Sequence, residues 1–252
     1  MTSDVRDKKT ETFYKIGEVA QEFEEVRFQS RGGLLRDSLQ KEAIALAAGA
    51  GEMRDKRVLD VGCGTGRFSR LFKSMGARVT GVDISHAMLL QARMRVSGEG
   101  YVGGSAISLP FRDRSFDLAV SVNVLNHLAS YEQAIGEICR VSKRVVLGLP
   151  NRNSLLLLAY PYRLLKGWGT EYTGFTGRRY ETEIRPYSRY FSIRELRAIF
   201  EKNGFGNVRV HGRWIFPILP GWAVSTAVLI NRIPFSFFRR FGTFFVLGAD
   251  RK

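Results

Sequence analysis

The chain has 252 residues, 44% hydrophobic and 12% aromatic, with 39 Lys+Arg against 24 Asp+Glu. That composition supplies a packed core and excludes a disordered chain, while two cysteines, Cys63 and Cys139, exclude a disulfide scaffold and suit a reducing compartment. The net charge of +15 asks for an anionic partner but is unevenly spread: residues 1–150 carry 22 basic against 18 acidic side chains, and residues 151–252 carry 17 against 6.

The first nine residues are polar and lack an apolar segment, so no secretory signal is expected. Residues 57–61 are a short β-branched run that ends in a glycine cluster, residues 62–66. Phe68, Leu71, Phe72 and Met75 then recur at helical spacing over 67–75, and Gly76 stops that helix. Residues 78–82 read as the next strand, ending at Asp83. Ser85 is placed to cap a helix through about residue 96, with Ala87, Leu90 and Met94 on its apolar face. Residues 116–122 are a strand, 131–141 a helix and 144–149 a strand broken by Pro150. Strands alternating with helices predict an α/β fold with a doubly wound, mostly parallel sheet.

The rest is less regular. Residues 167–190 are rich in Gly, Tyr and Arg and read as an excursion or lid. Residues 192–203 predict a helix with a capping box, Ser192 and Glu195, and Gly204 at its end. Residues 208–216 and 243–247 are strand candidates. Residues 214–231 are uncharged, but Pro217 and Pro220 break their start, leaving a helix over 222–233 rather than a membrane span.

Gly62, Cys63, Gly64 and Gly66 lie where a strand opens directly into a helix, so main-chain atoms there can be approached closely by a ligand. Glycines also serve such a turn with no ligand at all. Asp83, at the end of the next strand, decides between the two: a carboxylate there can accept both hydroxyls of a ribose bound across the strand ends.

Residues 58–68, 82–85, 109–117 and 190–205 together resemble the class I S-adenosylmethionine-dependent methyltransferases, in the broad group that contains quinone-biosynthesis enzymes. The resemblance covers about residues 55–210 in the family's order and spacing. It implies a seven-stranded sheet with a final antiparallel hairpin, and a single domain. Residues 1–54 would be a helical cap (with Ala20, Phe23, Glu24, Arg27 and Phe28 closing over the cofactor), 55–150 the cofactor core and 151–252 the acceptor-side insertions. It further implies that Asp60, Gly62 and Gly64 line the methionine moiety, Asp83 holds the ribose and Ile84 packs against adenine. Where the family usually has an acid facing adenine, this chain has Ser105 and Ala106, and the Ser105 hydroxyl can still accept a hydrogen bond. Asn123 would face the cofactor near the sulfonium, or cap the following turn.

Methyl transfer from a sulfonium is an in-line displacement that needs an aligned nucleophile, exclusion of water and sometimes a base. No metal is expected: His86, His127 and His211, with two separated cysteines, form no zinc pattern. His127 is the candidate base; the alternative is that it caps the turn or contacts cofactor. Residues 123–126 lack the Asn/Asp-Pro-Pro-aromatic pattern common in base N-methylation, which disfavours nucleic acid without removing RNA modification as an alternative. A cofactor-binding module without catalysis is a third reading.

In the basic half, Arg178, Arg179, Arg185 and Arg189 interleave with Tyr172, Tyr187 and Tyr190, an apolar run lies at 155–158, the helix candidate at 222–233, and a stretch rich in Phe and Arg at 235–241. These point to a small-molecule or lipid-like acceptor and an anionic membrane surface, with a cytoplasmic location; the alternatives are a surface that stacks bases and contacts phosphates, or segments that complete the fold with their arginines solvated. Tyr160, Tyr162, Tyr172 and Tyr187 are candidates to line the acceptor pocket or to pack within a lid.

Overall fold

The computed structural model describes residues 3–28, 30–49, 51, 53–96, 100–154, 189–213 and 242–252. Seven strands among them form one sheet: β1 (Arg57–Val61), β2 (Arg78–Asp83), β3 (Gly100–Gly103), β4 (Phe116–Val122), β5 (Ser142–Pro150), β6 (Phe205–Arg213) and β7 (Phe244–Arg251). Their order is β3-β2-β1-β4-β5-β7-β6; β1 to β5 are parallel, and β7 runs antiparallel to both β5 and β6. The chain leaves β1 toward one edge and returns to the other side of β1 with β4, so a crevice opens at the carboxyl ends of these two strands.

Helices α1 (Ser3–Lys15), α2 (Gly17–Phe28) and α3 (Arg31–Ala48) precede the sheet. After them come α4 (Arg67–Ser74), α5 (His86–Arg95), α6 (Tyr131–Val141) and α7 (Ile193–Lys202). Alternate sheet residues divide the core. Val58, Val79, Val120 and Val146 pack with Phe68, Phe72 and Ile44 from α4 and α3, while Leu59, Val61, Ala119 and Leu147 pack with Ile138 and Phe200 from α6 and α7. The expected doubly wound sheet and its final antiparallel pair are both present.

Four local expectations change. In α5 the buried side chains are Met88, Leu89 and Ala92, whereas Leu90 is 46% and Met94 79% exposed. Leu89 and Ala92 meet Tyr101 of β3, and Met88 meets Phe13, Val19 and Ala20 of the N-terminal helices; tertiary partners, not spacing alone, chose the face. Strand β3 joins the sheet with no pattern to announce it, because its four residues, two of them glycine, carry no apolar run. Pro150 does not break β5 but is its last residue, paired with Phe244 and accepting from the Phe191 amide at 3.0 Å. The capping box of α7 is half made: the Ser192 hydroxyl accepts from the Glu195 amide at 3.2 Å, but the Glu195 carboxylate instead accepts from Tyr131 at 3.0 Å and Arg189 at 2.7 Å.

The apolar run 155–158, most of the candidate lid, the helix candidate 222–233, the run 235–241 and Tyr160, Tyr162, Tyr172 and Tyr187 lie outside the described residues. No helix among the described residues is long and apolar enough to cross a membrane.

Candidate functional site

The crevice is a cavity of about 190 Å³ lined by the segments after β1, β2, β3 and β4 and by side chains of α1 and α2. After β1, Gly62, Gly64 and Gly66 all have positive φ, at 68°, 52° and 78°. The amides of Gly62 and Cys63 donate to the Val82 carbonyl at 2.7 and 3.1 Å, which fastens the loop to the end of β2. Gly62, Cys63 and Gly64 line the cavity. Gly66 does not; its missing Cβ leaves room for the Tyr101 hydroxyl, 3.0 Å from where that Cβ would be.

Asp83 ends β2 as expected and faces the cavity. Its carboxylate accepts from the Gly64 amide at 2.8 Å and the Ser85 amide at 2.9 Å, so one side chain braces both the glycine loop and the start of α5. Burial pushes its pKa up against these hydrogen bonds. Ile84, 37% exposed, and Ser105 and Ala106 complete this end of the cavity. The Ser105 hydroxyl accepts from the Ile107 amide at a long 3.5 Å, which leaves most of its bonding capacity for a ligand.

At the end of β4, Asn123 sits at φ 55° with its amide donating to the Gly148 carbonyl at 2.9 Å. It lines the cavity together with Val124 and His127, the last residue of the 3-10 turn Leu125–His127. The His127 ring meets the Tyr14 ring edge to face, with centroids 5.5 Å apart.

Asp60 lies behind this surface rather than on it. It is 2% exposed, does not line the cavity and accepts from the Ser69 hydroxyl at 2.7 Å. Burial, with a smaller contribution from the Asp83 charge, raises its pKa from 3.8 to about 6. A raised carboxyl opposes folding once ionised, so its favourable contribution is complete below about 3.8 and is lost as pH rises to about 6. Asp60→Asn removes that penalty, and in urea titrations it should be more stable than the wild type by about 1–3 kcal/mol at pH 8 and nearly equal at pH 4. A variant less stable than the wild type at pH 8 contradicts this reading.

The N-terminal helices close the cavity through specific contacts. Asp7 of α1 accepts from the amides of Ala129 and Ser130, at 2.5 and 3.2 Å, and so serves the start of α6 as a capping carboxylate from another helix. The Ser85 hydroxyl donates to the Tyr14 carbonyl at 2.6 Å. Glu24 of α2 accepts from Thr65 at 2.5 Å and Arg70 at 2.8 Å. Thr10, Tyr14, Phe23, Arg27 and Phe28 thereby become cavity wall. Of the expected cap residues, Ala20 packs instead with Phe13 and Met88. Asp7 and Tyr14 were missed in the sequence because α1 is polar and shows no apolar stripe to align it with the sheet.

The family model described as "Methyltransferase domain" matches residues 59–145, a segment that includes the loop, Asp83, Asn123 and His127. Curated relatives match a part of the chain of similar length. A malonyl-[acyl-carrier protein] O-methyltransferase of Buchnera aphidicola is 41% identical over 86 residues, 34% of this chain and 35% of that protein. One of Serratia marcescens is 33% identical over 107 residues, 42% of each. The match thus spans about two-fifths or less of these relatives' length. Among solved structures, a SAM-dependent methyltransferase of Thermotoga maritima, a possible histamine N-methyltransferase, superposes with a TM-score of 0.63 at 21% identity, covering 97% of this chain and 100% of that one. The magnesium protoporphyrin IX methyltransferase of Synechocystis with bound SAH gives 0.62 at 17% identity, covering 98% of each. The described sheet has the fold of these SAM-dependent methyltransferases.

Proposed function

We propose that this chain, through its methyltransferase domain, binds S-adenosyl-L-methionine and transfers the methyl group to a small apolar or amphipathic acceptor. The observation that carries the reading is one cavity shared by Asp83, the Gly62–Gly64 loop, Asn123 and His127. The residues suit the cofactor. Asp83 offers an ionisable carboxylate at a strand end, and a Cβ on Gly64 would find nothing within 4 Å, so a ligand can lie against the bare main chain. Ile84 and Ala106 give an apolar slot for adenine, with Ser105 beside it to accept from the amino group. Gly62, Gly64 and Asn123 lie toward the methionine and sulfonium, while Asp60 sits behind the loop and holds Ser69 of α4.

The cofactor supplies an activated methyl group; the protein aligns the acceptor, keeps water out with the N-terminal helices and removes a proton where the acceptor carries one. His127 is the base in this proposal. SAH formation with a panel of small carboxylate, phenol, amine and thioester acceptors tests the reading. His127→Ala should lower the maximal rate by about tenfold or more with SAH affinity within about twofold of the wild type; equal loss of both indicates a structural role. SAH binding without turnover on any acceptor supports a non-catalytic module instead.

The named activity of the curated relatives makes a carboxylate-bearing acyl thioester one acceptor class for that panel. A cytoplasmic location and contact with an anionic membrane surface belong to the same proposal. They are supported by the two free cysteines and by the net +11 of residues 151–252.

A further inference from the structure

Helix α1 holds the turn that carries His127. Asp7, Thr10 and Tyr14 form one stripe of this helix, and all three line the cavity. Tyr14 sets its ring against that of His127, while Asp7 takes the main chain just beyond it.

That stretch of main chain depends on the Asp7 carboxylate. The amides of His127 and Leu128 donate within the turn, to the carbonyls of Val124 and Leu125 at 2.8 and 3.2 Å. Those of Ala129 and Ser130 donate to Asp7, 122 and 123 residues away in sequence. No acidic side chain lies between Asn123 and Tyr131, and Ser130, the N-cap of α6, makes no side-chain capping bond. Amides at a helix start need an acceptor, and a charged acceptor binds them most strongly. On the other side of His127, the Asn126 carbonyl accepts from the Arg189 amide at 2.8 Å. The ring is thus carried between two long-range ties, one from the chain ahead of α7 and one from α1.

We propose, resting on the reading of His127 as the base, that Asp7 is a positioning residue for it. His127 reaches its working place only when α1 is seated on the turn. The stripe of α1 that walls the cavity also sets the base, so excluding water and aligning the base become one step. Displacing a reacting group by about 1 Å costs up to about a hundredfold in rate, so losing one of two ties predicts about tenfold.

Full-length wild type, Asp7→Ala, Asp7→Asn, His127→Ala and the double variant Asp7→Ala/His127→Ala test this through two readouts. The first, which needs no acceptor, is the NMR signal of the His127 ring in SAH-loaded protein, assigned by its loss in His127→Ala. It should shift in Asp7→Ala and shift less in Asp7→Asn, which keeps one acceptor oxygen. The second is the maximal rate of SAH formation with an acceptor that is turned over. Asp7→Ala should lower it about tenfold with SAH affinity within about twofold of the wild type. In the His127→Ala background it should lower it no further, because a residue acting through another loses its effect once that other is gone. An unchanged ring signal, losses that multiply in the double variant, or equal losses of rate and SAH affinity overturn the positioning role. A His127→Ala protein with the wild-type rate overturns the base assignment itself and this role with it, a result read from the single variant and distinct from those.

Discussion

Asp83→Ala is expected to weaken SAH binding by about a hundredfold or more, read by isothermal titration. Two ribose hydroxyls donating to one carboxylate are charge-assisted hydrogen bonds of about 1.5–3 kcal/mol each, and 1.4 kcal/mol is about tenfold in affinity. The same substitution leaves the Gly64 and Ser85 amides without their acceptor, so the loop also loses its brace. Asp83→Asn retains one acceptor oxygen and should fall between wild type and alanine. Burial raises the Asp83 pKa, and the ionised form is the one that binds; affinity should therefore fall as pH is lowered through that raised value, and Asp83→Asn should lose that dependence. An alanine variant that is folded by circular dichroism and binds SAH as the wild type does contradicts the assignment.

The second large effect separates two glycines of the same loop. A Cβ on Gly62 would lie 2.3 and 2.8 Å from the Val124 methyl carbons, at a φ of 68° that disfavours any side chain. Valine is short and stiff, so relief must move the 123–124 turn, which is cavity wall. Gly62→Ala should cost about 2–4 kcal/mol of stability in urea titrations, as left-handed backbone and overpacking add, and should lose SAH binding with it. Gly64→Ala meets no neighbouring atom, so only its φ of 52° opposes it. It should cost about 1 kcal/mol while placing a methyl group where the cofactor would lie. A Gly64→Ala protein that is nearly as stable as wild type yet binds SAH at least about tenfold more weakly marks the loop as a ligand surface; equal behaviour of the two variants marks it as a turn only.

Most of the site was legible because its parts sit at strand ends, where sequence pattern and position coincide. Gly62, Gly64 and Asp83 follow directly from two β-branched runs and the residues that stop them. Asp60 and Gly66 share the same pattern for a different physical reason: one is held by Ser69 behind the loop, and the other makes room for Tyr101. Pattern alone cannot tell a residue that faces a ligand from one that supports the residue facing it. The wall supplied by α1 and α2 was legible only in part. Glu24, Arg27 and Phe28 came from resemblance, while Asp7 and Tyr14 act across more than 100 and about 70 residues, on Ala129 and Ser85, and no local period reports such a contact. Charge partitioning carried less than it promised, because most of the basic half lies outside the described residues. The arginines that line the cavity, Arg27 and Arg67, belong to the nearly balanced first half.

The central claim is that the crevice at the ends of β1, β2 and β4 holds the adenosylmethionine. A crystal structure of the protein grown with SAH tests it most directly. The expected map has both ribose hydroxyls within hydrogen-bond distance of Asp83, adenine between Ile84 and Ala106, and the sulfur beside Gly62 and Asn123, facing His127. Adenosine density away from Asp83, or a cavity that stays free of SAH at saturating concentration, contradicts it.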